Sequence, residues 1–359
     1  MSKRLRWSLA IVFLLVVIAL PQFISSDYYM HLLIIIMMNA VLAMTFVILL
    51  RAGMLNMSIA AFWGIGAYSS AMLTLKGGLS FWASLPLSII IAACVAALFG
   101  AIIVRYSGLG FIMPSLIFGF IVPLVFATFK VFGGRVGLIR IPPVNTIPLP
   151  GDADIVFGST RSYYYLLLVL AVIVVVVTLA LYRAWTGRVW RAMGLSTDLA
   201  QSVGISLFRY RLLGFVICSA MAALMGVFFA HYSTNIMPDS YGVFKVIYVQ
   251  MYAILGGVVA PILGPIIGAG VLVVIPEALR VTKGFEPMIT GAIIILILIF
   301  VPQGIMGLFR GRSASEVQGL FARAFGYRLR RQRPAPASLP TEGEPAAERP
   351  DGAGSEGEP

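Results

Sequence analysis

Long runs without a charged residue dominate the chain: residues 7–26, 28–50, 52–75, 77–104, 106–129, 162–182, 212–238, 246–276 and 287–309 contain no Asp, Glu, Lys or Arg. Each reaches the roughly 20 residues that a helix needs to cross hydrocarbon. The runs are continuously apolar rather than alternating. They therefore predict helices, which satisfy their own backbone groups in lipid, and not the strands of a membrane barrel. Run 246–276 carries Gly256, Gly257, Pro261, Gly264 and Pro265, a cluster that breaks a helix and marks a turn. Splitting the run there turns nine segments into ten. The expected fold class is all-α, a polytopic transmembrane bundle of about ten spans over residues 1–310.

Composition agrees with the pattern. With 60% hydrophobic and 11% charged residues and a mean hydropathy of +0.97, a water-soluble fold is excluded, because a soluble domain carries roughly a quarter charged residues. Charge then sets the expected topology. Counting Lys and Arg in alternate loops, from Lys3, Arg4 and Arg6 through Arg333, gives 17 on one side and 8 on the other. The richer side is expected to be cytoplasmic, with both termini on it. A re-entrant pair inside run 246–276 keeps the same parity. The net charge of +12 divides into +17 for residues 1–333 and −5 for residues 334–359. The basic excess fits topology and contact with anionic lipid heads, not nucleic acid.

The N-terminus has a basic start and an apolar stretch, but residues 20–24 offer no small-x-small cleavage site, so it reads as a retained first helix. Cys94 and Cys218 both fall in apolar runs and read as packed thiols. Residues 132–161, with Gly133, Gly134, Gly137, Pro142, Pro143, Pro148 and Pro150, read as an ordered loop on the outer face. Residues 311–333 form a basic juxtamembrane segment. Residues 334–359 are Pro, Ala, Gly, Glu and Ser with little that is apolar, and are expected to be a disordered acidic tail.

The segment 183–211 lies on the side expected to be cytoplasmic. Trp190, Met193, Leu195, Leu199 and Val203 recur there at three- and four-residue steps, as in a short amphipathic helix. Composition alone favours a helix lying on the membrane interface over a docking helix for a soluble partner.

Several chemistries are missing. No Gly-x-x-x-x-Gly-Lys-Ser/Thr is present to cradle nucleotide phosphates. His31 and His231 are the only histidines, and no His, Cys or carboxylate cluster has metal-ligand spacing. They also supply no confident Ser-His-Asp set. Asp239, Glu277 and Glu286 fall near run ends, so span centres lack the carboxylates that ion-coupled transporters use. Gly64, Gly66, Gly256, Gly257 and Gly264 to Gly270 lie inside apolar runs, where small residues first of all mean close helix packing. As a set they also permit a moving bundle.

Several stretches in order resemble the permease subunits of ABC importers for branched-chain amino acids, the LivM-like family, from about Ala40 to Leu308. Gly53-Met54-Leu55-Asn56-Met57-Ser58-Ile59-Ala60-Ala61-Phe62-Trp63-Gly64-Ile65-Gly66-Ala67-Tyr68 is similar to the family's Gly-x-Leu-Ser-Leu-Gly-x-Ala-x-Phe-x-Gly-Ile-Gly-Ala-Tyr. Gly110 to Leu116 stands where the family has Tyr-Phe-x-x-x-Thr-Leu, and Gly133 to Pro142 resembles its external Gly-Gly-x-x-Gly-Leu-x-x-Ile-Pro loop. Gly187-Arg188-Val189-Trp190-Arg191-Ala192, with Met193, Ala200 and Val203-Gly204-Ile205, resembles its coupling region. Leu255-Gly256-Gly257, Gly264-Pro265 to Ala269, Pro276-Glu277 and Pro302-Gln303-Gly304 follow in the family's order. The chain departs from the pattern at Gly194-Leu195-Ser196-Thr197-Asp198, where members commonly show Arg-Glu-x-Glu, and at Asn56 and Ser58.

The resemblance implies a permease subunit in the bacterial inner membrane that binds no cofactor and is not an enzyme. It implies as partners a second related permease, two cytoplasmic ATPases that hold the ATP, and an external substrate-binding protein. Residues 187–204 become the expected ATPase-coupling segment, with Gly187 permitting a tight turn, Arg188 and Arg191 bonding to the partner, and Trp190 and Met193 filling a groove on it. Asn56, Ser58 and Ser115 are candidates for the translocation path, each set against the simpler reading of a helix-packing hydrogen bond. The expected cargo is a small polar solute, branched-chain amino acids first and urea, amides or aromatic acids after them. A stand-alone channel or facilitator remains the competing class, with a lipid-acting membrane enzyme behind it.

Overall fold

The computed structural model describes residues 12, 15–24, 26–145, 157–258, 260–278, 291, 295 and 304–306. Residues 311–333 and 334–359 and most of run 287–309 lie outside these. Residues 15–23 are helical. Ten helices follow: α1 (Asp27–Arg51), α2 (Ile59–Leu75), α3 (Phe81–Ile103), α4 (Leu109–Thr128), α5 (Thr160–Arg183), α6 (Trp185–Leu195), α7 (Thr197–Ser202), α8 (Leu207–Ser233), α9 (Val243–Gly256) and α10 (Leu263–Ala278). Among the described residues, 12, 291, 295 and 305–306 are also helical, and short 3-10 turns and one antiparallel bridge, Leu138 to Ile236, complete the regular features. The fold is an all-α membrane bundle, and α1, α3, α4, α5 and α8 are long and apolar enough to cross a bilayer.

Run 52–75 yields a helix over only its last 17 residues. At 1.5 Å per residue that is about 25 Å, short of a hydrocarbon core of about 30 Å. Residues 52–58 instead turn, with Gly53 at φ +79°. Run 246–276 breaks where its Gly/Pro cluster predicts: α9 ends at Gly256, Gly257 adopts φ +101°, and α10 starts at Leu263. Pro261 lies in the break, while Gly264 and Pro265 fall in the first turn of α10. Fourteen-residue α9 reaches about 21 Å and is also too short to span alone.

Helix α8 is the hub. It packs most extensively on α2, then on α3 and α1, while α10 packs on α9 and α1. Small side chains set these contacts, because lipid gives helices no hydrophobic drive to associate and close van der Waals approach has to replace it. Ala222, Gly226 and Ala230 repeat every four residues on α8. A Cβ on Gly226 would lie 1.9 Å from the Trp63 carbonyl oxygen, and one on Gly66 would lie 2.2 Å from that of Ala223. On α10, Gly268 meets α9 in the same way, 1.8 Å from the Tyr252 carbonyl oxygen. In contrast, Ile90, Leu98 and Ile102 of α3 and Ile117, Phe120 and Leu124 of α4 stand exposed, as suits a face toward lipid.

The loop after α4 is strapped to the α8–α9 connection. Leu138 and Ile236 exchange backbone hydrogen bonds, and the Ile141 N–H donates to the Thr234 carbonyl. His231 is fully buried below this strap. Its Nδ1 donates to the Pro142 carbonyl at 2.7 Å, and its Nε2 lies 2.8 Å from Ser70 Oγ, which in turn meets Ser84 Oγ. This histidine joins α2, α3 and α8 to the loop.

Candidate functional site

Residues 185–204 form two helices, α6 and α7, and not the single amphipathic helix that the periodicity suggests. The chain breaks at Ser196, whose Oγ accepts from the Leu199 N–H and caps α7. The break divides the apolar stripe. Gly187, Val189, Trp190, Met193, Gly194 and Ala200 are buried against this chain, while Arg188, Arg191, Leu195, Leu199 and Val203 face outward. Ala192 is half-buried between them and Gly204, at φ +82°, closes the segment.

The expectation for Trp190 and Met193 is therefore corrected. Their side chains are only 1% and 2% exposed, so neither can enter a groove on another subunit. Trp190 anchors α6 instead: its indole N–H donates to the Tyr210 carbonyl at 2.9 Å, and its ring packs on Gly214 of α8. Outward apolar surface comes from Leu195, Leu199 and Val203, which are 62%, 69% and 77% exposed.

Two glycines fix the segment's position. A Cβ at Gly187 would lie 2.5 Å from the Leu181 carbonyl oxygen, so only glycine allows α6 to fold back this tightly on the end of α5. A Cβ at Gly194 would lie 2.1 Å from the Arg51 carbonyl oxygen, at the end of α1. Arg51 also donates from Nε to the Val258 carbonyl at 3.2 Å, just beyond the break after α9. The end of α1 thus touches both the α6–α7 segment and the helix break. Beside α7 a notch of about 400 Å³ is lined by Arg105, Gln201, Ser206, Phe208 and Arg211 among others.

Asn56, Ser58 and Ser115 are brought together, but as the start of α2 and not as a lining. The N–H and the Oγ–H of Ser58 donate to Asn56 Oδ1 at 2.9 and 2.7 Å, and the Met57 N–H donates to Ser115 Oγ at 3.2 Å. Ser115 Oγ–H in turn donates to the Ile112 carbonyl. All three side chains are at most 1% exposed. The Asn56 and Ser115 oxygens thus satisfy the Ser58 and Met57 N–H groups in the turn that leads into α2, and the three side chains are closed off within the packed bundle.

The family model described as "Branched-chain amino acid transport system / permease component" matches residues 28–302. The chain belongs to this family of transport permeases. The high-affinity branched-chain amino acid transport system permease protein LivM of Salmonella typhimurium is 27% identical over 277 residues, covering 72% of this chain and 65% of that protein. LivM of Escherichia coli (strain K12) is 27% identical over 277 residues with the same coverage. The chain spans about 65% of the length of these curated relatives. No solved structure matches. The match places this chain in a family of multi-pass membrane permeases and not of enzymes. It begins at α1 and includes both the α6–α7 segment and the broken α9–α10 pair.

Sequence reasoning missed one group in this permease body. Lys245, in the first turn of α9, donates from Nζ to Asn39 Oδ1 at 2.9 Å and lies 5.1 Å above the Trp63 ring. It stands one residue before an uncharged run and so reads as a span-end residue. Only the helix start at Val243 carries it inside the bundle.

Proposed function

We propose that this chain is the membrane-spanning permease subunit of an ATP-driven importer in the bacterial inner membrane, carrying branched-chain amino acids. Its partners are a second related permease, two cytoplasmic ATPases and an external binding protein, and ATP is bound and hydrolysed on the ATPases alone. Both termini lie in the cytoplasm, on the same side as α6 and α7.

The observation that carries the reading is the two-sided build of residues 185–204. One side is clamped to α1 through Gly194 and to α8 through Trp190. The other side offers Arg188 and Arg191 together with Leu195, Leu199 and Val203. Guanidinium groups form charge-assisted bonds with carboxylates, and a few apolar anchors dominate docking energy. A push from closing ATPases on that outer side reaches α1 and α8, the two most deeply packed long helices, by direct contact. From the end of α1 it passes through Arg51 to Val258 and the break between α9 and α10. A short break held by backbone contacts is the kind of two-state element that a partner's ligand can bias.

The test is co-purification followed by charge reversal. Tagged chain should bring down a second permease and an ATPase. Arg188→Glu with Arg191→Glu should leave assembly of the two permeases intact and abolish coupling between ATP hydrolysis and uptake. Chain that purifies alone and conducts solute without ATP would be a channel, and the proposal would fail.

A further inference from the structure

The notch beside α7 opens where membrane-crossing helices end. Arg105 stands two residues beyond the end of α3, and Arg211 is the fifth residue of α8, both of them helices long enough to cross a bilayer. With 27 residues α8 is about 40 Å long, against a hydrocarbon core of about 30 Å, so its ends reach the headgroup layer.

The notch is positive and offers that charge no protein counter-charge. Both arginines line it, and no carboxylate does among the described residues. Arg211 is 4% exposed. Its Nη1 donates to the Tyr106 carbonyl at 3.4 Å, and its Nε has no hydrogen-bond partner. Arginine cannot shed its charge, and a buried charge is costly unless it is paired. One long bond to a neutral carbonyl leaves most of that cost unmet. Arg105 is exposed and lies 5.5 Å over the ring of Phe208, another residue of the lining. Such stacking uses the face of a guanidinium and leaves its N–H edges for an anion.

Helix α8 begins in the same notch, which Ser206, Leu207 and Phe208 also line. Ser206 makes no side-chain cap, and the first turn holds no acid but does hold Arg209. The N–H groups and the positive dipole end of such a helix start favour phosphate. Two guanidinium groups on one opening suit the same ligand, since Arg pairs its donors with phosphate oxygens.

The neighbouring surface points to a lipid as the source of that phosphate. Ile102, Tyr106 and Leu109 flank Arg105 in sequence and are 66%, 59% and 54% exposed. They continue the face of α3 and α4 that carries Leu98 and Met113, also exposed. Acyl chains can lie there while the headgroup enters the notch; a free phosphate ion has no use for such a surface. Basic pockets between membrane helices are established headgroup sites.

We propose that the notch binds the phosphate of an anionic phospholipid, held by Arg105, Arg211 and the start of α8, with the acyl chains along α3 and α4. The same lipid touches Gln201 of α7 and so ties the outer helix of the coupling segment to the body. The site does not depend on which solute crosses.

The test uses the full-length chain, purified with the subunits that accompany it and stripped of lipid in detergent. It is titrated with phosphatidylglycerol, phosphatidylcholine or inorganic phosphate, and bound lipid is counted by native mass spectrometry. Phosphatidylglycerol should be retained in preference to phosphatidylcholine, and inorganic phosphate should compete only in large excess. Arg105→Gln with Arg211→Gln should weaken phosphatidylglycerol binding at least tenfold. Arg105→Gln alone changes an exposed side chain, so it should weaken binding several-fold without lowering the lipid-free melting temperature, and it decides the matter if the double variant fails to assemble. Equal retention of phosphatidylglycerol by wild type and Arg105→Gln would overturn the site. So would equal retention of phosphatidylcholine, which denies selection for the anionic headgroup. Displacement of the lipid by inorganic phosphate at equal concentration would make this a free-phosphate site, and loss of an ATPase from the variants with lipid retention unchanged would make it a protein socket; either result rejects the lipid.

Discussion

One methyl group is enough to test the contact at the centre of the bundle. Gly226→Ala places a Cβ 1.9 Å from the Trp63 carbonyl oxygen, so α2 and α8 must separate. Overpacking of this kind costs about 1–3 kcal/mol, and thermal unfolding in detergent should register it. Gly270→Ala is the control, since nothing lies within 4 Å of its Cβ and the exchange should be neutral or slightly stabilising. At Trp190, replacement by Phe removes the donor to Tyr210 and part of the buried ring volume, and should cost more than the roughly 1 kcal/mol of the hydrogen bond alone, whereas Ala empties the whole ring site at about 3–5 kcal/mol. The role of Trp190 was not legible in the sequence. A three- and four-residue stripe says that a helix has an apolar face, but not whether lipid, a partner or the same chain covers it. Asn56, Ser58 and Ser115 were ambiguous for a related reason. Small hydroxyls and amides in an apolar run serve a lumen or a helix start equally well, and only the donors at Met57 and Ser58 decide between them.

Among the elements, the break at Gly256 and Gly257 was legible because glycine and proline act on the backbone itself, whatever surrounds them. The shortening of α2 was not, since residues 52–58 carry no charge and single small or polar residues such as Gly53, Asn56 and Ser58 also occur inside membrane helices. Nor was the division of residues 185–204 into two helices, which turns on the Ser196 cap and rotates Leu199 and Val203 away from the body. Their exposure leads to a prediction. Leu199→Asp with Val203→Asp changes only surface side chains, so stability should move by no more than about 0.5 kcal/mol each. Binding of the ATPase, measured by pull-down from detergent, should nevertheless be lost. Retained ATPase binding would show that α7 is not a docking element.

For the molecule as a whole, the fold class was readable from the length of the uncharged runs, and the family from motifs spread over most of the chain. The helix partners were not. In a bilayer both the lipid-facing and the protein-facing sides of a helix are apolar, so periodicity no longer marks the inner face, and small residues such as Gly66, Ala223 and Gly226 become the main signal. With α8 at the hub, and α1 touching both the α6–α7 segment and the α9–α10 break, force applied at Arg188 to Val203 has a continuous path into the bundle. The most direct test of that account is leucine accumulation in proteoliposomes holding this chain, its second permease, the ATPases and the external binding protein. Accumulation against a gradient that requires ATP on the ATPase side, and that disappears when Arg188 and Arg191 are both changed to Glu, is the predicted result. Leucine flux through this chain alone, equal with and without ATP, would contradict it.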